Sequence, residues 1–167
     1  GLCPVGSVNL TVAVYSFYTQ QWTYYYEEVD DGTAVISFTL PEECKHWINI
    51  TATDDLGNVA YDNETVYVDN TPPEIVKTIG EPKYGSYITS DTEITVEATD
   101  MGLCPVGSVN LTVAVYSFYT QQWTYYYDEV EDGTASLTIY LPEECKHWIN
   151  ITATDDLGNV AYDNETF

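Results

Sequence analysis

The chain has 167 residues, 44% of them hydrophobic, with 16 tyrosines and abundant Thr, Val and Ile. It can bury a core, suits a pleated half-buried surface, and is not a disordered acidic tail. Its 27 acidic residues face 4 lysines and no arginine, a net charge of −23, which argues against nucleic acid and anionic membranes, because phosphate contacts need cations on the protein.

The charge fits bound divalent cations, a salty habitat, or solubility through self-repulsion. No stretch approaches the apolar length of a transmembrane helix, so this segment is not expected to insert into a membrane.

A repeat decides the organisation. Gly1-Leu2-Cys3-Pro4-Val5-Gly6-Ser7-Val8-Asn9 recurs from Gly102 to Asn110, an offset of 101 residues, and the match runs to Thr65 and Thr166. The changes cluster where Ala34 to Thr39 becomes Ala135 to Tyr140, and both versions alternate as a strand does. A period of this size is one small domain. The expected division is 1–70, a unit lacking its first two strands, and 71–167, a nearly complete one.

In chain order, the complete unit opens on the stiff linker Thr71-Pro72-Pro73. Strands are expected over 74–79 and 93–98, separated by a turn-rich stretch with Gly80, Pro82 and Gly85. A loop with Cys104 and Pro105 leads to a long strand over 109–120. An aromatic strand over 123–130 follows, then the hairpin signal Asp132-Gly133. Strands over 136–141 and 148–154, an Asp156-Leu157-Gly158-Asn159 turn and a last strand from Val160 complete the unit. About seven short strands per unit predict an all-β fold of tandem immunoglobulin-like sandwiches.

The run Ile48-Asn49-Ile50-Thr51-Ala52-Thr53-Asp54-Asp55-Leu56-Gly57-Asn58-Val59-Ala60, then Val68-Asp69-Asn70-Thr71-Pro72-Pro73, resembles the ending and linker of bacterial and archaeal immunoglobulin-like repeat domains. Glu97-Ala98-Thr99-Asp100 is similar to the same family. The resemblance implies a secreted, non-enzymatic protein at the cell surface: an adhesin, a surface-layer protein, a stalk or a filament. The cysteine pair departs from the common family pattern.

An even number of cysteines in a secreted β-domain favours disulfides. Bridges within units would be Cys3–Cys44 and Cys104–Cys145. Strand alternation, however, puts the two cysteines of a unit at opposite ends, roughly 20 Å apart, beyond the reach of about 7 Å between Cα atoms. The favoured bridge is therefore Cys44–Cys104, between units, with Cys3 and Cys145 pairing outside this segment.

Asp69, Asp100, Asp155, Asp156 and Asn159 gather at the end where the linker enters, an oxygen-rich set that suits calcium, although Asp and Asn also serve turns. Acceptor patterns for N-linked glycans occur at Asn9, Asn49 and Asn63 and again at Asn110, Asn150 and Asn164. Asn9 and Asn49 have the outward parity of their strands. Trp22-Thr23-Tyr24-Tyr25-Tyr26, repeated at Trp123 to Tyr127, places aromatics on both faces of a strand. One face is expected to be core, and the other, assigned to Trp22, Tyr24 and Tyr26 with Trp123, Tyr125 and Tyr127, serves lateral packing between chains or sugar stacking.

No catalytic pattern is present: no nucleophile elbow, phosphate loop or dinucleotide glycines. His46 and His147 read as single loop histidines without zinc spacing. The first expectation is thus a structural repeat assembled end to end with copies of itself in an extracellular filament, stalk or surface layer. Alternatives are an adhesin that binds glycan through the aromatic strand, and a passive spacer. The open edges left by the missing strands of the first unit invite strand addition from a neighbour.

Overall fold

The structure, a computed structural model, describes residues 3–167. The chain divides into two compact units, Gly1–Asp69 and Asn70–Phe167. All regular structure among the described residues is β, and no helix is long and apolar enough to cross a membrane.

Unit 1 contains β1 (Val8–Ser16), β2 (Gln21–Val29), β3 (Cys44–Thr53) and β4 (Val59–Val68), in one antiparallel sheet ordered β2-β1-β3-β4. Unit 2 contains β5 (Glu74–Ile79), β6 (Lys83–Tyr84), β7 (Tyr87–Ile88), β8 (Ile94–Thr99), β9 (Val109–Ser117), β10 (Gln122–Val130), β11 (Thr134–Ile139), β12 (His147–Thr154) and β13 (Val160–Thr166). A four-stranded sheet, β10-β9-β12-β13, faces a three-stranded one, β11-β8-β5, and β6 and β7 form a small hairpin. This is a sandwich of the immunoglobulin-like kind in which the strand after β9 pairs with β9 itself.

Alternation explains the core of unit 2. Val109, Leu111, Val113 and Val115 of β9 and Ile149, Ile151 and Ala153 of β12 point inward, against Ile94, Val96 and Ala98 of β8 and Ala135 and Ile139 of β11. Each large aliphatic side chain buried here contributes about 1.5–3 kcal/mol relative to exposure.

Among the described residues, unit 1 has the same inward residues on β1 and β3 but no counterpart of β5 and β8. Ile48, Ile50 and Ala52 are only half-buried where Ile149, Ile151 and Ala153 are buried. The segment 34–39, expected as a strand, is not one, although its equivalent β11 is. β11 pairs with β8, and the described residues of unit 1 include no equivalent of β8 to supply those hydrogen bonds. Phe38 nevertheless stacks on Tyr25 at 5.0 Å between ring centroids.

The long strand expected to reach Thr120 ends at Ser117. The Ser117 carbonyl accepts from Gln121 N–H at 2.8 Å and its hydroxyl from Thr120 N–H at 3.3 Å. These bonds turn the chain at Gln121, which has a left-handed backbone (φ 59°).

Candidate functional site

The incoming end of unit 2 is built from the β8–β9 loop and the β12–β13 turn, since Thr99 at the end of β8 lies opposite Glu74 at the start of β5. Asp155 organises the turn. Its carboxylate accepts from Leu157 N–H and Asn159 N–H, each at 2.9 Å, and from the Asn159 amide at 2.7 Å. Asp156 N–H donates to the Ser108 hydroxyl at 3.0 Å, tying turn to loop. Asp100 accepts from Gly107 N–H at 2.7 Å. Gly107 has φ 89°, and a Cβ there would come within 2.9 Å of Asp132 Oδ1, so the loop needs glycine.

Asp100 and Asp155 are both buried, with a carboxylate oxygen of each within 4.8 Å of the other. Asp69, the last residue of unit 1, is buried too, whereas Asp156 is exposed and Asn159 half-buried. Much of the acidic set is therefore used in turn chemistry. Unit 1 repeats it: Asp54 accepts from Leu56, Asn58 and the Asn58 amide, and these hydrogen bonds, the one from the Asn58 side chain foremost, hold its carboxyl below the ordinary carboxylate value.

The cysteines of unit 2 lie at opposite ends. Cys104 precedes Val109, Cys145 precedes His147, and His147 lies opposite Ser117 at the far end of β9. The nine residues of β9 separate the ends by roughly 27 Å. A Cys104–Cys145 bridge is excluded by that distance, and the antiparallel β1–β3 register separates Cys3 from Cys44 in the same way. Cys3 and Cys145 are exposed free thiols, while Cys44 and Cys104 are oxidised. Cys145 borders a cleft of about 890 Å³ at the outgoing end, lined also by Ile88, Leu141, Pro142, Glu143 and Phe167.

The two histidines are not loop residues. His46 and His147 sit on β3 and β12, point inward, and are 0% and 2% exposed. His147 Nε2 lies 3.4 Å from Glu143 and His46 Nε2 lies 3.6 Å from Glu42. The polar flanks Lys45 and Lys146 disguise them, since those side chains point to the other face, over Phe17 and Phe118 at 4.8 and 5.1 Å.

The outer face of the four-stranded sheet is aromatic. Along β10, Trp123, Tyr125 and Tyr127 stack in a row, their ring centroids 6.3 and 6.4 Å apart. Trp22, Tyr24 and Tyr26 repeat the row on β2. Tyr116 of β9 lies between Trp123 and Trp148, opposite both, and packs on each ring. The residues of both rows and Trp148 are exposed and Tyr116 is half-buried, so neither row is core.

All three acceptor asparagines of unit 2 share this face. Ala114 of β9 lies opposite both Tyr125 and Asn150, and Asn150 lies opposite Asn164 on β13. Asn110 stands on the same side of β9. Unit 1 reproduces the pattern, with Ala13 opposite Tyr24 and Asn49, and Asn49 opposite Asn63. Of the six asparagines, Asn9 is half-buried and the other five are exposed. Outward parity was readable strand by strand; the meeting of asparagines and aromatics across strands required the register.

No protein-family model matches the chain, and no curated protein does. Among solved structures, the chicken interferon gamma receptor alpha chain is similar at 13% identity and a TM-score of 0.38, covering 96% of this chain and 84% of that one. The first three fibronectin domains of chicken CNTN1 are similar at 10% identity and a TM-score of 0.37, covering 96% of this chain and 55% of that one.

Proposed function

We propose that the chain is a structural segment of an extracellular array in which immunoglobulin-like units follow one another end to end, of the bacterial or archaeal surface-protein type. The observation that carries this is the placement of the cysteines. A unit that holds one thiol at each end cannot bridge itself and is suited to bridge its neighbours. In this reading Cys44 and Cys104 are bonded to each other. Cys145, beside its cleft, bonds the loop cysteine of a following unit, and Cys3, itself a loop cysteine, bonds the equivalent of Cys145 in a preceding one. Covalent links at successive junctions give length and durability, and the near-identical repeats supply identical joints.

Two buried carboxylates as close as Asp100 and Asp155 repel each other unless a cation or proton intervenes. We propose calcium there, with Asp69 as a further ligand. A melting temperature that falls on treatment with EGTA supports the ion; an unchanged one assigns the aspartates to turns alone.

The array reading is tested by oxidising the purified chain and comparing non-reducing electrophoresis and electron micrographs with those of the Cys145→Ser variant. Ladders and fibres from the native chain, abolished in the variant, support it. Monomers from both would contradict it. A second reading, an adhesin, is favoured by the exposed aromatic rows; a glycan-array signal lost in Trp123→Ala and Trp22→Ala would support that instead.

A further inference from the structure

The aromatic rows and the acceptor asparagines answer each other across the same face. We propose that Asn150, and Asn49 in unit 1, carry N-linked glycans whose first sugar lies against the tryptophan two residues earlier, Trp148 and Trp47, above the gap left by Ala114 and Ala13. The proposal rests on the extracellular reading above, since a glycan requires export.

Three features single out these two positions. In a strand, residues two apart share a face and lie about 6.6 Å apart. Trp148, Asn150 and Thr152 therefore stand in line on β12, and the acceptor threonine faces the same way as the asparagine. Trp148 is 43% exposed, which leaves ring surface for the C–H face of a pyranose.

Next to Asn150 on β9 is Ala114, and beyond it Tyr125. Tyr125 and Asn150 are two strand spacings apart, about 9.6 Å, with only a methyl group between them. A sugar ring fills such a space; a second bulky side chain would not leave it.

The other acceptors lack this setting. Asn110 and Asn9 follow Ser108 and Ser7, which are buried and not aromatic. Asn164 follows Tyr162 in the same two-residue spacing but lies directly opposite Asn150. Paired Cα atoms stand about 4.5–5.5 Å apart, too close for two glycan stems side by side. Asn150 faces the gap over Ala114, so Asn164 stays unmodified on the same molecule, as does Asn63 beside Asn49.

The covalent step uses a lipid-diphosphate-linked oligosaccharide as donor. The Asn Nδ2 forms a bond to the anomeric carbon, the carbon–oxygen bond to the diphosphate breaks, and the diphosphate leaves with that electron pair. The displaced amide proton passes to a base of the transferase. The product covers part of an apolar face with hydroxyls.

The test uses the full chain secreted from a eukaryotic host, in the background Trp22→Phe/Trp123→Phe, so that fluorescence reports Trp47 and Trp148 alone. Peptide mapping after enzymatic deglycosylation reads occupancy. The expected result is modification at Asn49 and Asn150, an unmodified Asn63 and Asn164 on the same molecules, and at least a twofold rise in iodide quenching when the glycans are removed. The variant Thr51→Ala/Thr152→Ala, which leaves the aromatic face intact, should already show the higher quenching. Empty Asn49 and Asn150, or occupied sites with unchanged quenching, would overturn the proposal. A chain glycosylated in this way that forms no ladder on oxidation would refute the array and leave this inference standing.

Discussion

Lys77 on β5 meets Asp163 on β13 at 3.0 Å, and so joins the edge strand of one sheet of unit 2 to the edge strand of the other. Glu165 lies at the same distance, and Lys77 also donates to the Asn164 carbonyl at 3.1 Å. The lysine is mostly buried, and an inward charge at an open sheet edge also discourages pairing with other chains.

Replacing Lys77 with Met should lower the stability of unit 2 by about 1 kcal/mol, a modest value because both carboxylates are partly exposed and screened. The gap between native and variant should depend on pH. Burial alone would lower the Lys77 pKa, but its hydrogen bonds to Glu165 and Asp163 outweigh this and raise it. Burial would raise Asp163, but its hydrogen bonds from Lys77 and from Asn164 N–H, with the lysine's charge, together outweigh this and lower it. A depressed carboxyl stabilises the fold above its unfolded value near 3.8 and loses that stabilisation as pH falls through the folded value. A raised lysine stabilises below 10.5 and loses it as pH rises through the folded value. Denaturant melts should show the full gap at pH 7, shrinking at pH 2 and at pH 12.

Asp155→Ala removes an acceptor of three hydrogen bonds from a buried position. It should cost about 1–3 kcal/mol by chemical denaturation. Asp54→Ala, in the more exposed copy, should cost less. Equal losses would mean that burial of Asp155 adds nothing.

Amide hydrogen exchange should separate the two copies of one segment. Residues 135–139 belong to a ladder with β8, and residues 34–38 do not. Protection at 135–139 should exceed that at 34–38 by about a hundredfold or more. Grafting residues 70–100 ahead of unit 1 should supply the absent strands and raise protection at 34–38. No change would show that the inner face of unit 1 does not accept them.

The contrast also shows what a sequence can carry. Ala34-Val35-Ile36-Ser37-Phe38 alternates as well as Ala135-Ser136-Leu137-Thr138-Ile139 does, but a strand exists only if a partner from elsewhere in the chain lies beside it. The long strands β9, β10 and β12 were readable because alternation and turn residues are local. The inward histidines were hidden because His147 is flanked by Lys146 and Trp148, whose outward side chains make the stretch look solvated. The opposition of Asn150 and Asn164 depends on a register set by the turn that Asp155 holds.

The placement of cysteines is tested most directly by non-reducing peptide mapping of the oxidised, full-length chain after alkylation of free thiols. The expected product is a cross-linked peptide containing Cys44 and Cys104, with Cys3 and Cys145 alkylated or joined to other copies. A peptide linking Cys3 to Cys44, or Cys104 to Cys145, would contradict it.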